Sequence, residues 1–227
     1  MITLCNLACG VLSVYAALWG GSPRQAALLI CLGILFDFFD GMTARLLGVS
    51  SPMGKELDSL ADVVTSGVAP AAIVYELTIE YLYMIRMPWV AIFCLLIPLF
   101  AAYRLAKFNL DTRQSHSFLG LPVPSQALVW VGLALSELVI PDGYQIVFVL
   151  SVIVLSLILN VLMVTELPLF SLKFNFKDLS WKSNSVQYIF LIVCAVIIAA
   201  LRDWIAISVI ILWYIILSAI TQRKHAE

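Results

Sequence analysis

The chain has 227 residues, of which 63% are hydrophobic and only 12% are charged, and its net charge at pH 7 is −1. Its mean hydropathy of +1.03 lies far outside the range of soluble globular domains. The charge balance supplies no basic surface for nucleic acid. The five cysteines occur in apolar runs without a CxxC pair or a histidine cluster, which disfavours a disulfide framework or a zinc site.

Eight apolar stretches predict eight membrane-spanning helices and therefore an all-α integral membrane protein. They lie near residues 3–20, 26–46, 57–79, 88–106, 123–140, 144–164, 185–201 and 204–220. The last two are short for full spans. We divide the chain into a core of residues 1–165, a cytoplasmic loop of residues 166–184, and a C-terminal helix pair with its tail in residues 185–227.

The basic residues predict the orientation of these spans. If the amino terminus is cytoplasmic and the spans alternate, ten of the thirteen Lys and Arg residues face the cytoplasm. The outer side then holds Arg24, Arg86 and Arg202. This bias follows the positive-inside rule, and it places the connection between the second and third spans in the cytoplasm.

Four aspartates flank that connection. Asp37 and Asp40 are three residues apart on the second span, and Asp58 and Asp62 are four residues apart on the third. Both spacings put the two carboxylates on one helical face. Folding the hairpin about its midpoint pairs position 37 with 62 and position 40 with 59. The two acidic pairs are therefore predicted to face each other at the cytoplasmic ends of neighbouring helices.

Four converging carboxylates near a bilayer call for a counterion, because like charges in a desolvated site repel one another. Oxygen-only ligands suit Mg²⁺, Mn²⁺ or Ca²⁺, and a pair of such ions is a common device for gripping a phosphate. Gly41, Ala44 and Arg45 follow the first acidic pair, and the connection G-V-S-S-P-M-G supplies glycines and hydroxyls ahead of a helix amino terminus. These features suit a phosphate ligand. A structural polar contact and an ion path are the alternatives.

Written as a pattern, Asp37 to Asp62 reads D-x2-D-G-x2-A-R-x8-G-x3-D-x3-D. This pattern resembles the signature of the CDP-alcohol phosphatidyltransferase family, and every fixed position is present. The resemblance implies a six-helix catalytic core followed here by two C-terminal helices. It also implies transfer of a phosphatidyl group from a CDP-linked lipid to an alcohol, with CMP as the leaving group and a divalent metal, two ions of Mg or Mn, as cofactor.

The resemblance also implies roles for individual residues. Asp37, Asp40 and Asp58 would be metal ligands, and Asp62 would be the base toward the acceptor hydroxyl and a further metal ligand. The residues expected to contact the CDP-lipid are Thr3, Asn6, Gly41, Ala44, Arg45, Ser51 and Gly54.

Two stretches outside the signature resemble the membrane-embedded phosphatidylserine synthases of this family. They are ITLCNLACG, residues 2–10, and YRLAKFNLDTRQSHSFLGLPVPSQA, residues 103–127. The resemblance implies CDP-diacylglycerol and L-serine as substrates, a homodimer, and a bacterial inner membrane with the site facing the cytoplasm. The residues expected near the acceptor are Arg104, Lys107, Asn109 and Arg113. Positive charge alone does not select serine, because glycerol 3-phosphate would also need a basic partner.

Three other functions compete with this interpretation. Another alcohol, glycerol 3-phosphate or inositol phosphate, would use the same chemistry. A cation-coupled transporter would use the aspartates as an ion site, although transporters usually carry paired repeats and broken helices, whereas these acids cluster in one hairpin. A non-catalytic scaffold would not need the full signature. The phospholipase-D-like type of serine synthase is excluded, because it uses paired His-Lys-Asp motifs and this chain has two histidines.

Overall fold

The computed structural model is helical throughout the part of the chain that it describes. That part comprises residues 2–48, 51–110, 120–136, 138–166 and 181–226, with the side chains of residues 45, 47, 181–185 and 222–226 outside the description. The helices are α1 Ile2–Leu18, α2 Pro23–Leu47, α3 Pro52–Asp62, α4 Ala69–Met84, α5 Leu96–Leu110, α6 Val123–Leu135, α7 Gln145–Val164, α8 Trp181–Leu201 and α9 Ile205–Ala226. A π-helical turn, Val63–Val68, joins α3 to α4, and a 3-10 helix, Pro88–Leu95, precedes α5.

Each of the eight predicted spans coincides with a helical rod, so the all-α membrane fold is confirmed. Within the described ranges, four rods are long and apolar enough to cross a membrane, namely Pro23–Ala44, Pro52–Met84, Pro88–Leu110 and Gln145–Val164. The other four are shorter apolar helices. Some helix limits differ from the predicted spans: α6 ends at Leu135 and not near residue 140, and α8 begins at Trp181, four residues before the predicted start of its span. Polar residues can extend a helix beyond its apolar run, which is why hydropathy placed the start too late.

The short helix α6 lies at the centre of the bundle. Its residues Ala127 and Val131 pack with α1, α2 and α4, while Val129 and Trp130 pack with α5 and α7. Trp130 is fully buried. Helix α6 thus contributes residues to two apolar clusters, and its packing holds the neighbouring helices together.

The C-terminal pair joins the core through α9. The hydroxyl of Ser208 donates a hydrogen bond of 2.6 Å to the carbonyl oxygen of Val129 on α6. Gly132 allows this approach, because a Cβ there would lie 2.7 Å from the backbone nitrogen of Ser208. Helix α8 packs on α9 and leaves large apolar side chains such as Leu191 and Val196 exposed, as a helix facing lipid would.

Helices α1, α2 and the π-helical turn cross at closest approach around Thr65. A Cβ on Gly10 would lie 2.9 Å from the Thr65 backbone, and a Cβ on Gly33 would lie 2.6 Å from Thr65 Cγ2. Small residues of this kind let membrane helices approach closely. Helices α2 and α3 make few backbone contacts beyond this point, whereas α1 packs on both. The space between α2 and α3, with α1 along its side, is called the cleft below.

Candidate active site

The four aspartates line this cleft in two tiers. Asp40 on α2 lies seven residues from Gly33, and Asp58 on α3 lies seven residues from Thr65, so both sit about 10 Å along their helices from the crossing. Asp37 and Asp62 form the lower tier, which is closer to the crossing, and Asp40 and Asp58 form the upper tier. The predicted register of the hairpin agrees with this arrangement. The carboxylates were predicted on neighbouring helices, and they lie on two helices, α2 and α3, that make few close backbone contacts with each other.

The carboxyl groups are close enough to sense one another. Those of Asp37 and Asp58 interact directly across the cleft, and Asp37 also feels the charges of Asp62 and Asp40. All four side chains are partly buried. Repulsion among them must be offset, since charge in a desolvated site is costly without a partner.

Helix α1 provides part of that offset from the side of the cleft. The hydroxyl of Thr3 donates a hydrogen bond to Asp40 Oδ2, and the amide of Asn6 donates one of 3.1 Å to Asp62 Oδ1. Both donors are buried. Thr3 and Asn6, expected from the resemblance to contact the CDP-lipid, are therefore hydrogen-bonded to two of the aspartates.

The connection between the acidic helices is built from turn and cap residues. Gly48 has a φ of +64°, the left-handed conformation that commonly ends a helix. Ser51 is the N-cap of α3, and its hydroxyl accepts a hydrogen bond of 3.0 Å from the Gly54 amide, with Pro52 in the first turn. The Ser51 hydroxyl thus has a structural partner at the mouth of the cleft.

The remaining signature residues lie around the same mouth. Gly41 and Ala44 are exposed on the last turns of α2, beyond the upper tier. The backbone of Arg45 continues that helix, and its side chain lies outside the described part. The residues at this end of the cleft are therefore accessible to a polar headgroup.

The four residues expected near the acceptor separate into different environments. Arg104 on α5 is 7% exposed, its guanidinium lies 4.9 Å from the centre of the Phe108 ring, and it feels the charge of Asp62. Among the described side chains the two do not form a direct ion pair. Of the basic side chains that the structure describes, Arg104 is the one whose charge acts on Asp62.

Lys107 and Asn109 point to other partners. Lys107 forms an ion pair of 3.0 Å with Glu166 and lies 3.4 Å from the Val164 carbonyl oxygen, which ties α5 to the end of α7. Asn109 donates a hydrogen bond of 2.8 Å to the Ser59 hydroxyl on α3. Arg113 lies outside the described residues. Of the acceptor candidates that the structure describes, only Arg104 interacts electrostatically with one of the four carboxylates.

Sequence reasoning missed Thr65, whose hydroxyl donates a hydrogen bond of 3.0 Å to the backbone carbonyl oxygen of Asn6. It is fully buried. A threonine three residues after the last aspartate, level with glycines in two other helices, was the available signal. The pattern had no way to show which of those glycines would meet it.

The donor set fits a hard divalent cation. Four carboxylates line one cleft, and the donor atoms that they offer are all oxygen. Oxygen ligands of this kind are the ones that Mg²⁺ and Mn²⁺ take. Among the described residues, no three acidic, histidine or cysteine side chains form a closed group around one point. An ion would therefore draw the carboxylates together from their present positions.

Comparison with known proteins agrees with the signature. A family model described as CDP-alcohol phosphatidyltransferase matches residues 1–221. A Bacillus subtilis protein named CDP-diacylglycerol–serine O-phosphatidyltransferase is 40% identical over 125 residues, which cover 55% of this chain and 67% of that protein. A Helicobacter pylori protein of the same name is 32% identical over 225 residues, which cover 95% of this chain and 86% of that protein.

One of the similar proteins is named for a different lipid product. The archaetidylserine synthase of Methanothermobacter thermautotrophicus is 34% identical over 131 residues, and the match covers 56% of this chain and 53% of that protein. With the family model spanning nearly the whole sequence and the aspartate cleft in place, the chain belongs to the CDP-alcohol phosphatidyltransferase family and is a membrane transferase of phospholipid synthesis.

Proposed function

We propose that this chain transfers the phosphatidyl group of CDP-diacylglycerol to the hydroxyl of L-serine and releases phosphatidylserine and CMP. The observation that carries the proposal is the cleft of four aspartates with a buried arginine beside it, in a chain whose relatives include proteins named for this reaction. The bond that forms joins the serine oxygen to the β-phosphorus. The bond that breaks releases CMP, and the hydroxyl proton goes to a base.

The family resemblance suggests a division of labour among the four carboxylates. Asp37, Asp40 and Asp58 would hold divalent metal ions, two of Mg or Mn, with Asp62 as a further ligand. A bound ion would draw charge off the pyrophosphate and improve CMP as a leaving group. Asp62 would take the serine proton as the bond forms, because an alcohol is a poor nucleophile until a base removes its proton.

The nucleotide would lie at the exposed mouth of the cleft. Gly41, Ala44 and Gly54 offer close approach to backbone there, and Arg45 would supply a donor fork for phosphate. Ser51 would hold the amino terminus of α3, which favours an anion nearby. The acyl chains would stay in the bilayer while the cytidine stays in the aqueous cleft.

Arg104 would bind the carboxylate of serine. Its guanidinium and the Asp62 carboxylate influence each other without forming an ion pair, so a positive charge lies near the proposed base. Serine carries a carboxylate and a hydroxyl on adjacent carbons, so it could pair with Arg104 at one end and meet Asp62 at the other. Lys107 is a weaker candidate because Glu166 already neutralises it.

The proposed setting is a homodimer in a bacterial inner membrane with the cleft facing the cytoplasm. The bias of basic residues supports the orientation, and the family resemblance supports the dimer. Cross-linking in membranes and the mass of the detergent-solubilised protein would test the assembly. Labelling of a cysteine introduced at Glu56, which is exposed on α3, would test the orientation.

The decisive experiment is CMP release from CDP-diacylglycerol by the purified protein in detergent. Reactions with L-serine, glycerol 3-phosphate, inositol phosphate or no acceptor are compared, each with Mg²⁺, with Mn²⁺ and with EDTA. Release that requires serine and stops with EDTA is expected. Release with another alcohol would overturn serine as the acceptor but keep the chemistry. No release with any acceptor would overturn the proposed reaction and favour the transporter.

A further inference from the structure

We infer that Asn6 is a positioning residue for Asp62, and that Thr65 in turn holds Asn6. The inference rests on the proposed function, in which Asp62 is the base. It assigns to Asn6 a task different from the nucleotide contact that the family resemblance implies. It also explains why an asparagine and a threonine lie buried where three apolar helices meet.

The first step is the hydrogen bond from Asn6 to Asp62. The amide nitrogen of Asn6 lies 3.1 Å from Asp62 Oδ1, and Asn6 has no exposed surface. A carboxylate with one oxygen held by a neutral donor keeps the other oxygen in a defined direction. Asp62 Oδ2 would then be the oxygen that takes the proton of the acceptor hydroxyl.

The second step is the restraint on Asn6 itself. The Thr65 hydroxyl donates to the backbone carbonyl oxygen of Asn6 at 3.0 Å, and this links the backbone of α1 to the turn that immediately follows Asp62. Gly33 forms the other wall: a Cβ there would lie 3.0 Å from Asn6 Oδ1. The side chain of Asn6 is therefore confined between α2 and the π-helical turn, with its donor directed at the carboxylate.

Asn6 lies away from the exposed mouth of the cleft, where the nucleotide is proposed to bind. Asn6 lies on the side of the lower carboxylate tier, whereas the exposed mouth is formed by residues beyond the upper tier, such as Gly41 and Ser51. A side chain with no exposed surface at that depth is better placed to orient the base than to contact a cytidine. An error of about 1 Å in the placement of a reacting group can cost a factor on the order of 100 in rate.

The test compares Asn6→Leu, which keeps the size but removes the donor, with Ser13→Ala as a matched control. Ser13 is also fully buried on α1 and donates to the Ala26 carbonyl oxygen at 2.8 Å, away from the aspartates. We expect Asn6→Leu to lower kcat about 100-fold with the KM for CDP-diacylglycerol within about twofold of wild type. Ser13→Ala is expected to leave both constants near wild type.

Two further comparisons separate positioning from a structural role. Thr65→Val should lower kcat less than Asn6→Leu does, and Thr65→Ser, which keeps the hydroxyl, should restore most of it. In an Asp62→Asn background, Asn6→Leu should cause no further loss of rate, because residues that act as a unit are not additive. A further tenfold loss in that background would overturn the inference.

Binding of CDP-diacylglycerol without acceptor gives a readout independent of turnover. Unchanged affinity in Asn6→Leu supports positioning, and a loss of tenfold or more overturns it in favour of a nucleotide contact. If wild type uses another alcohol, serine fails as the acceptor while the same variants still test Asn6. If wild type releases no CMP at all, the proposed function and the positioning of a base both fail, even with binding intact.

Discussion

The aspartate cleft and the C-terminal pair α8–α9 are both helical parts of one membrane protein, and they are built on opposite rules. In the cleft, two buried polar side chains of α1 donate hydrogen bonds to carboxylates: Thr3 to Asp40, and Asn6 to Asp62. The C-terminal pair relies on apolar packing, with the Ser208 hydrogen bond at its contact with α6 and an outer helix whose large side chains remain exposed. Polar substitutions should therefore matter far more in the first region than in the second.

The two regions also differ in how strictly they fix the geometry of a side chain. A hydrogen bond between charged and neutral partners in a desolvated site depends on geometry, whereas a helix facing lipid can exchange one apolar side chain for another at little cost. Substitutions in the cleft should therefore have larger effects than substitutions in the C-terminal pair.

The largest effect is expected from Asp62→Asn. Loss of the base should reduce kcat by about 10³-fold while CDP-diacylglycerol still binds. Steady-state CMP release and equilibrium binding measure the two quantities. Glu56→Gln is the control, because it removes an exposed acid from the same helix without touching the cleft. Activity in Asp62→Asn equal to that in the control would rule out Asp62 as the base.

The next effect concerns metal binding. Asp40→Asn keeps a partner for Thr3 but removes a charged ligand, so the affinity for Mn²⁺ should fall by about 100-fold, at least as much as the loss of an outer-shell partner. Electron paramagnetic resonance of free Mn²⁺ reports this directly and needs no turnover. Unchanged Mn²⁺ affinity would remove Asp40 from the proposed ligand set.

A smaller effect is expected at Arg104. Replacing it with Gln should raise the KM for serine about 30-fold, since removing one partner of a buried charge pair costs about 2 kcal/mol or more, with little change in the KM for CDP-diacylglycerol. Lys107→Gln is the matched control, because its charge is already paired with Glu166. Arg104→Lys, which keeps the charge, should fold and recover part of the affinity.

That result would be contradicted by a different distribution of effects. If Arg104→Gln raised the KM for CDP-diacylglycerol and left the KM for serine unchanged, Arg104 would be a phosphate contact. If Lys107→Gln had the larger effect on serine, the acceptor would lie toward the end of α7 and away from Asp62.

The smallest effect on activity is expected from Ser208→Ala. Loss of the hydrogen bond to Val129 should lower stability by about 1 kcal/mol and leave kcat unchanged, because the contact holds α9 and lies outside the cleft. Thermal unfolding in detergent and CMP release measure the two effects. A kcat lowered more than fivefold would mean that the C-terminal pair supports the active site through α6.

Much of the site could be predicted because it lies within one hairpin. Spacing along two adjacent helices determines which carboxylates share a face and a depth, and four aspartates in 26 residues are enough to predict their meeting. The same reasoning failed for the partners of those carboxylates. Thr3 and Asn6 come from a third helix, and local spacing does not reveal its position relative to the hairpin.

The acceptor region shows the same limit. Arg104, Lys107 and Asn109 lie within six positions of one another and look alike as polar residues near a span end. Tertiary packing gives them separate partners: the vicinity of Asp62 for Arg104, Glu166 for Lys107 and Ser59 for Asn109. Residues at successive positions of a helix point in different directions, so each meets a different neighbour.

The sequence by itself determined the membrane class, the helical rods, the acidic hairpin and the family signature, because hydropathy and periodicity are local properties of the chain. Only the tertiary structure decided that α1 packs along both α2 and α3 and supplies hydrogen-bond donors to two of their carboxylates. It also decided that Thr65 is packed between Gly10 and Gly33. These features depend on which small residues of distant segments allow their helices to touch, and that is a property of the packed bundle and not of any one segment.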